Sequence, residues 1–207
     1  GLEAAKEYVA DVRLGTATDT GDAEGAVIEQ RSVAVDDAAL VRALAGFRGE
    51  IRQVPPMYSA LKKDGQPLYA LARAGQTVER EARLVTIHEL ELVSRKEDLL
   101  RLRIRCSKGT YVRQLAADLG LALGTVAHLA ALRRTWSGGF GLDRATSGDA
   151  LGPEVRAALR PMGECLPGLP AVRVTAEGGR ALRHGRDLTR VLVDQGFPGE
   201  PPPGRLR

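Results

Sequence analysis

From Leu100 to Cys106 apolar and basic residues alternate without a miss. Leu100, Leu102, Ile104 and Cys106 fall on one side, Arg101, Arg103 and Arg105 on the other. A period of two belongs to a half-buried strand, so the first set faces a core and the arginines face out. The strand runs into Ser107-Lys108-Gly109-Thr110, a small-residue turn carrying one lysine, and beyond it Val112, Leu115, Ala116 and Leu119 recur at helical spacing. Upstream, Tyr8 to Leu14 alternates in the same way and Gly15 ends the run. Thr16 to Gly25 is rich in turn formers and reads as a loop, after which Ala26 to Glu29 resumes extended structure. Asp36 is placed to cap a helix carrying Leu40, Val41 and Leu44 on one face. Pro55-Pro56 forces an extended passage through Tyr58-Ser59-Ala60, and Pro67 opens a short helix through Tyr69, Leu71 and Ala72 with Gly75 just past its end. Leu84 to Val93 reads as a strand, turned by Arg95-Lys96-Glu97-Asp98 into the basic-edged strand. Gly120 and Gly124 are expected to break the helix after Arg113, and Thr125 to cap a second helix leading to Leu132-Arg133-Arg134.

Antiparallel strands with helices inserted between them predict an α+β fold: a mixed, mainly antiparallel sheet with flanking helices, followed by a small β-rich module. The expected division is a main domain over 1–161, a linker over 162–170 and a carboxy-terminal module over 171–207. The linker is drawn from the two prolines and two glycines between Met162 and Pro170. The module is read as a strand over Ala171 to Val174, a short helix near Arg180, and His184-Gly185. Pro201-Pro202-Pro203 is expected to be disordered. No internal repeat is visible.

The 207 residues suffice for one full core and a small appendage. No apolar run approaches membrane-spanning length. The net charge of +4 favours a polyanionic partner without requiring one. Arginine dominates the 30 basic residues, with lysine only at positions 6, 62, 63, 96 and 108. Arginine suits phosphate forks and base stacking, but a GC-rich genome produces the same bias. Two cysteines, Cys106 and Cys165, cannot make a disulfide framework, and Cys106 fits the apolar side of its strand as a buried thiol. With no signal peptide or lipidation motif in view, a reducing cytoplasm is expected.

Candidate chemistry gathers where the basic-edged strand meets the next helix, since polar groups at a strand end beside a helix N-terminus readily hold phosphate. Each residue there also has a plainer reading. On pattern alone Tyr8 shares the core face of its strand, Leu132 is core, Lys108 is an exposed turn lysine and Arg113 a surface arginine. Arg113 does sit in the first turn of its helix, a poor place for a cation unless an anion is near. The acidic loop from Thr18 to Gly25 fails as a calcium loop, because with Gly25 at the sixth position Arg31 falls where a bidentate glutamate belongs. His88, His128 and His184 are isolated, so no metal site is expected. The glycine-rich turns match neither GxGxxG nor a P-loop.

Four segments, in order, resemble the TruB-type tRNA pseudouridine synthases over most of the chain. They are Lys6-Glu7-Tyr8; Gly15-x-x-Thr18-Asp19-Thr20-x-Asp22-x-x-Gly25; Pro55-Pro56-x-x-Ser59-Ala60-x-Lys62; and Cys106-Ser107-Lys108-Gly109-Thr110-Tyr111-Val112-Arg113. Gly124 to Arg134, ending Leu132-Arg133-Arg134, supports them. The resemblance implies the pseudouridine synthase fold and an isomerase of tRNA processing. Such an enzyme everts a T-loop uridine at tRNA position 55, breaks its N-glycosidic bond and rejoins the base through carbon. It implies that Tyr8 stacks on the base and that Arg113 keeps a nucleophilic aspartate ionised and oriented. Leu132 then packs beside the base, while Lys108 and Tyr111 contact substrate. It implies tRNA through its T-arm as partner, no metal or organic cofactor, no membrane, and a monomer when complete.

One departure is decisive. The family's nucleophile lies in a Gly-His-x-Gly-Thr-Leu-Asp-Pro segment upstream of the Tyr8 strand, and these 207 residues contain none. Gly141-Leu142-Asp143-Arg144 echoes it in the wrong place, and Asp19 and Asp22 belong to another motif. The chain is therefore expected to be a fragment that makes no pseudouridine alone. Two expectations follow: a synthase whose amino-terminal part is elsewhere, or a catalytically silent RNA-binding protein on the same scaffold. Missing amino-terminal strands are also expected to leave a sheet edge exposed.

Overall fold

The computed structural model describes residues 5–63, 65–150, 152, 159–165, 172–189 and 192–195. The chain divides into two compact units, Gly1–Ala145 and Thr146–Arg207. Of the expected linker, residues 166–170 lie outside the described residues, as do Ala171 and Pro201-Pro202-Pro203.

The first unit begins with β1 (Lys6–Leu14), β2 (Thr16–Thr18) and β3 (Val27–Gln30), then α1 (Asp37–Gly46) and β4 (Gly49–Gln53). A small hairpin of β5 (Lys62–Lys63) and β6 (Gln66–Pro67) leads into α2 (Leu68–Arg73). The long strands β7 (Arg83–Lys96) and β8 (Leu99–Cys106) precede α3 (Val112–Ala122), β9 (Ala127–Ser137) and β10 (Phe140–Gly141). Six strands form one sheet in the order β10-β9-β1-β8-β7-β4, every pair antiparallel. This is the expected α+β architecture.

The alternation in β8 is realised in full. Leu100, Leu102, Ile104 and Cys106 are buried with Ala10, Val12 and Leu14 of β1, Ile87 and Leu90 of β7, Leu40 and Leu44 of α1, and Leu115, Ala116 and Leu119 of α3. Each such leucine or isoleucine contributes about 1.5–3 kcal/mol by leaving water. On the opposite face the arginines find carboxylates across the strands. Arg101 donates from Nε to Asp11 Oδ1 at 2.7 Å and from Nη2 to Oδ2 at 2.9 Å. Arg103 donates to Glu91 at 2.7 Å and Arg105 to Glu89 at 3.3 Å. The basic edge is thus neutralised where it stands. The Arg101 hydrogen bonds hold the Asp11 carboxyl below its ordinary value. Its stabilising effect is therefore present at neutral pH and lost as pH falls through that lowered value.

Four expectations are corrected. Residues after Thr125 form β9, not a helix: the second edge of β1 is open, and β9 pairs along it from Leu14–Ala127 to Lys6–Ser137. The alanine- and leucine-rich composition suggested helix, but a full ladder of strand hydrogen bonds outweighs propensity. Thr125 is buried, and its hydroxyl donates to Ser32 O at 3.1 Å rather than capping anything. Val41 is 64% exposed, because the buried stripe of α1 runs through Leu40 and Leu44 only. The loop after Gly15 contains the short strand β2. Gly120 does not break α3 but lies inside it, buried, and the helix gives way at Gly124 (φ +75°).

The capping expectations hold: Asp36 Oδ1 accepts from Ala39 N at 2.6 Å, and α2 ends just before Gly75. In the second unit β11 (Arg173–Val174) pairs with β12 (Val193–Gln195), and a helix over Ala176–Arg183 starts at Thr175, whose Oγ1 accepts from Gly178 N at 3.1 Å. No helix of the described residues is long and apolar enough to cross a membrane.

Gly120 supplies a test of this packing. A Cβ there would stand 2.6 Å from Ala127 N and 2.7 Å from Val126 C, backbone atoms that cannot step aside. Helix propensity alone favours alanine by about 1 kcal/mol. Gly120→Ala is expected instead to destabilise the protein, by about 1–3 kcal/mol in urea unfolding. A stabilised variant would contradict the close approach of α3 to β9.

Candidate active site

Three separated segments meet at the start of α3. The Ser107–Thr110 turn delivers Tyr111 at the helix N-cap and Arg113 in the first turn. Gln53, only 2% exposed at the end of β4, fixes that turn: its Nε2 donates to Tyr111 O at 3.2 Å and its Oε1 accepts from Tyr111 N at 2.8 Å. Arg113 then spans two neighbours. Its Nη1 donates to Asp22 Oδ2 at 2.9 Å and its Nη2 to Tyr58 O at 2.6 Å. A Cβ at Gly21 (φ +76°) would meet the aliphatic stem of Arg113 at 3.8–3.9 Å. The poor dipole position of this cation is therefore offset by a carboxylate in contact.

The loop that provides Asp22 is wired to itself. Asp19 Oδ1 accepts from Ala26 N at 2.9 Å, Thr18 Oγ1 donates to Asp22 O at 2.7 Å, and Thr20 Oγ1 donates to Asp22 Oδ1 at 2.6 Å. Glu24 N also donates to Asp22 Oδ1, at 3.3 Å. Gly25 has no room for a side chain, since a Cβ would overlap Thr20 Oγ1 and Asp19 Oδ1. Leu129 N donates to Gly21 O at 3.0 Å and docks the loop on β9. The acidic loop is thus a scaffold for Arg113.

Around Arg113 lies a cavity of about 500 Å³, open to solvent, lined by Tyr8, Asp22, Tyr111, Arg113, Leu129 and Leu132 among others. Of the sequence-derived candidates, Tyr8, Arg113, Leu132 and Tyr111 come together here. Leu132 is 47% exposed rather than core. Lys108 is not among the lining residues; it stands exposed in the turn beyond Cys106. Tyr8 is half-buried, its ring against the core cluster and its phenol within hydrogen-bonding reach of Arg134. Asp22, the Tyr58 carbonyl, Gln53 and Arg134 were not singled out from sequence. For Asp22 the available signal was its charged motif between Gly15 and Gly25. For Gln53 there was none, because a lone glutamine at a strand end carries no pattern.

The chemical capacity of this cavity follows from its donors. It offers a guanidinium, two phenols and a leucine side wall, which suit a flat polar ring attached to an anion. Asp22 makes a poor nucleophile here: both its oxygens are engaged, one by Arg113 and one by Thr20 and a backbone N–H. Cys106 is buried and its thiol is pushed up by that burial, consistent with a structural role. No cluster of three metal-ligating side chains occurs among the described residues.

Burial pushes the Tyr8 phenol above its ordinary value, reinforced by Cys106 and opposed by Arg134. A phenol held neutral in the folded state weakens folding as pH rises past the unfolded value of about 10. Subtracting the 295 nm titration of Tyr8→Phe from that of the parent should isolate one phenol with its midpoint above 10. A midpoint at or below 10 would contradict the half-buried placement.

Comparison with known proteins bears on this geometry. Residues 2–112 match the family model described as TruB family pseudouridylate synthase (N terminal domain), and residues 113–166 match the tRNA pseudouridylate synthase B C-terminal domain. Proteins named tRNA pseudouridine synthase B from Azoarcus sp. (strain BH72), Chromohalobacter salexigens and Burkholderia mallei (strain NCTC 10247) are 48%, 51% and 53% identical. The matches cover 94%, 93% and 90% of this chain but 66%, 64% and 63% of those proteins, so the chain spans less than two thirds of their length. Among solved structures, a chain of a Cbf5-Nop10-Gar1 complex superposes with a TM-score of 0.64 at 28% identity, over 90% of this chain and 50% of that one. A chain of an archaeal box H/ACA sRNP Nop10-Cbf5 complex has the same fold, with a TM-score of 0.60 at 24% identity over 93% and 51%. With family models spanning residues 2–166 and relatives at about half identity along nearly its whole length, the chain belongs to the TruB family of pseudouridylate synthases.

Proposed function

We propose that these residues form the body of a tRNA pseudouridine synthase that isomerises the T-loop uridine at tRNA position 55. One observation carries the reading: Tyr8, Tyr111, Arg113 and Leu132 line a single open cavity. An everted uracil is flat, polar at its edge and tied to phosphates on both sides, and those four side chains match it in kind. In this reading Tyr8 stacks on the base, with its phenol neutral at working pH, and Leu132 closes the opposite side. Arg113 holds the nucleophilic carboxylate ionised; Asp22 and the Tyr58 carbonyl fix that guanidinium in place before substrate arrives. Preorganising Arg113 in this way spares the reaction the cost of turning it. Lys108, standing outside the cavity, is assigned to the RNA backbone, where a point charge suffices. The T-arm is the part of tRNA bound, the complete enzyme works as a monomer, and the cell compartment is the cytoplasm.

The nucleophile itself is supplied by a Gly-Thr-Leu-Asp-Pro segment that this sequence does not contain. Asp22 has a different part here, its oxygens accepting from Arg113, from Thr20 and from Glu24 N so that it holds the guanidinium and the loop. In support, among the described residues the outer edge of β9 is bridged by Asp22 at Leu129 and paired with β10 at Trp136 and Ser137, and Ala131 to Arg134 between them are exposed. That is room for a further strand beside the cavity.

The purified 207-residue chain is expected to release no tritium from T-loop RNA carrying 5-tritiated uridine. Adding a polypeptide with the Gly-His-x-Gly-Thr-Leu-Asp-Pro segment of a relative should restore release, and Arg113→Gln should abolish it again by a factor of at least about a hundred. Turnover by the chain alone would refute the division of labour. Tight RNA binding with no turnover under complementation would favour a silent RNA-binding protein.

A further inference from the structure

Gln53 ends β4, opposite Arg83 of β7, and its side chain reaches the start of α3. That helix has an uncommon beginning. Its N-cap residue is Tyr111, which offers no side-chain cap, and the neighbouring Thr110 hydroxyl donates back to Ser107 O at 3.0 Å. Serine, threonine, aspartate or asparagine ordinarily occupies such a position. Here a carboxamide from 58 residues earlier takes over, with its oxygen on Tyr111 N–H and its nitrogen on Tyr111 O. The same carbonyl accepts from Leu115 N at 3.0 Å, the bond that closes the first turn. A carboxamide carries a donor and an acceptor side by side, so one side chain satisfies both backbone groups of one residue.

Further along, the same segment touches α3 again, where Tyr58 O accepts from Arg113 Nη2 at 2.6 Å. Pro55 and Pro56 lie between the two contacts and are buried. Each proline fixes its own φ and keeps the residue before it extended, so the passage acts as a stiff strut. Its Gln53 end holds the backbone just before Arg113, and its Tyr58 end holds the guanidinium. Root and tip of one side chain are thus set by one piece of chain. A shift of about 1 Å at the root would stretch the contact to Asp22 or to Tyr58 beyond hydrogen-bonding range, or force Arg113 off its rotamer. Gln53 itself is not among the residues that line the cavity.

We propose that Gln53 is a positioning residue for Arg113: through the backbone of Tyr111 it sets where the guanidinium is rooted, without touching a substrate. The claim about the guanidinium stands on the hydrogen bonds alone. Its consequence for the reaction rests on the reading of the cavity as the uridine site, in which Arg113 orients the nucleophilic carboxylate. Gln53 then contributes to the rate of the chemical step and little to RNA affinity. A glutamine that merely filled the interior would contribute to stability and to neither.

Gln53→Met keeps an unbranched side chain of similar length and removes both hydrogen bonds. Arg113 is read in the 207-residue chain alone, by the nitrogen-15 NMR signals of its two Nη atoms, assigned by their loss in Arg113→Gln. A guanidinium held at both nitrogens rotates slowly about its Cζ–Nε bond and shows two signals, whereas a loose one shows a single averaged signal. Two signals are expected in the parent and one in Gln53→Met with the far-UV circular dichroism of a folded chain. Gln53→Asn, which draws the carboxamide back by about 1.5 Å, covers the case in which Gln53→Met does not fold, and one signal is expected there too. Two signals in a folded variant, or one in the parent, would overturn the proposal. With the Gly-His-x-Gly-Thr-Leu-Asp-Pro polypeptide added, single-turnover tritium release should fall about tenfold or more in the variant while the RNA Kd stays within about twofold. Parental release from a variant whose signals have merged would overturn the consequence for the reaction. A complemented parent that turns nothing over would sink the cavity reading and leave the NMR result to decide on Gln53.

Discussion

The guanidinium of Arg113 is the point on which the site's geometry turns. It joins the start of α3 to Asp22, 91 residues earlier in the chain, and to the Tyr58 carbonyl, 55 residues earlier. Without it the 18–25 loop, the Pro55–Ser59 passage and the helix start would share little besides proximity. With it, the loop and the passage are tied to the helix start, and the cavity that Tyr8 also lines gains a polar wall. A half-exposed arginine alone would be a weak anchor. This one is only about a quarter exposed, and so is its partner carboxylate, so solvent screens the pair less than a surface bridge.

The same wiring assigns Asp22 its role. A carboxylate that accepts from a guanidinium, a hydroxyl and a backbone N–H has little free lone-pair density to attack a sugar or a base. It serves by holding the arginine. The outer face of the sheet follows a similar logic: Arg101, Arg103 and Arg105, an outward basic face in sequence, are matched by Asp11, Glu91 and Glu89 across the strands.

Much of this was legible in the chain because the relevant pattern was local. The β8 alternation, the Asp36 cap and the turn after Cys106 each depend on a few consecutive residues, and all three are present. The β9 helix expectation failed because Ala127 to Ala131 has helical composition, and only the free edge of a strand more than a hundred residues away makes it extended. Gly120 was misread for a related reason: its lack of a side chain serves contact with Ala127, not a break in α3. Within the site, Tyr8, Tyr111, Arg113 and Leu132 emerged through family resemblance, whereas the Gln53 side chain bonds the backbone of Tyr111 and Tyr58 acts through its carbonyl, contacts with backbone atoms that no side-chain pattern reveals.

A double-mutant cycle on Asp22→Asn and Arg113→Gln, read by urea unfolding of the intact chain, addresses the clamp itself. If the two side chains hold one another as described, their effects will be non-additive, with a coupling of about 1 kcal/mol or more. Additivity within about 0.3 kcal/mol would mean that the pair does no structural work, and the preorganised cavity would lose its foundation.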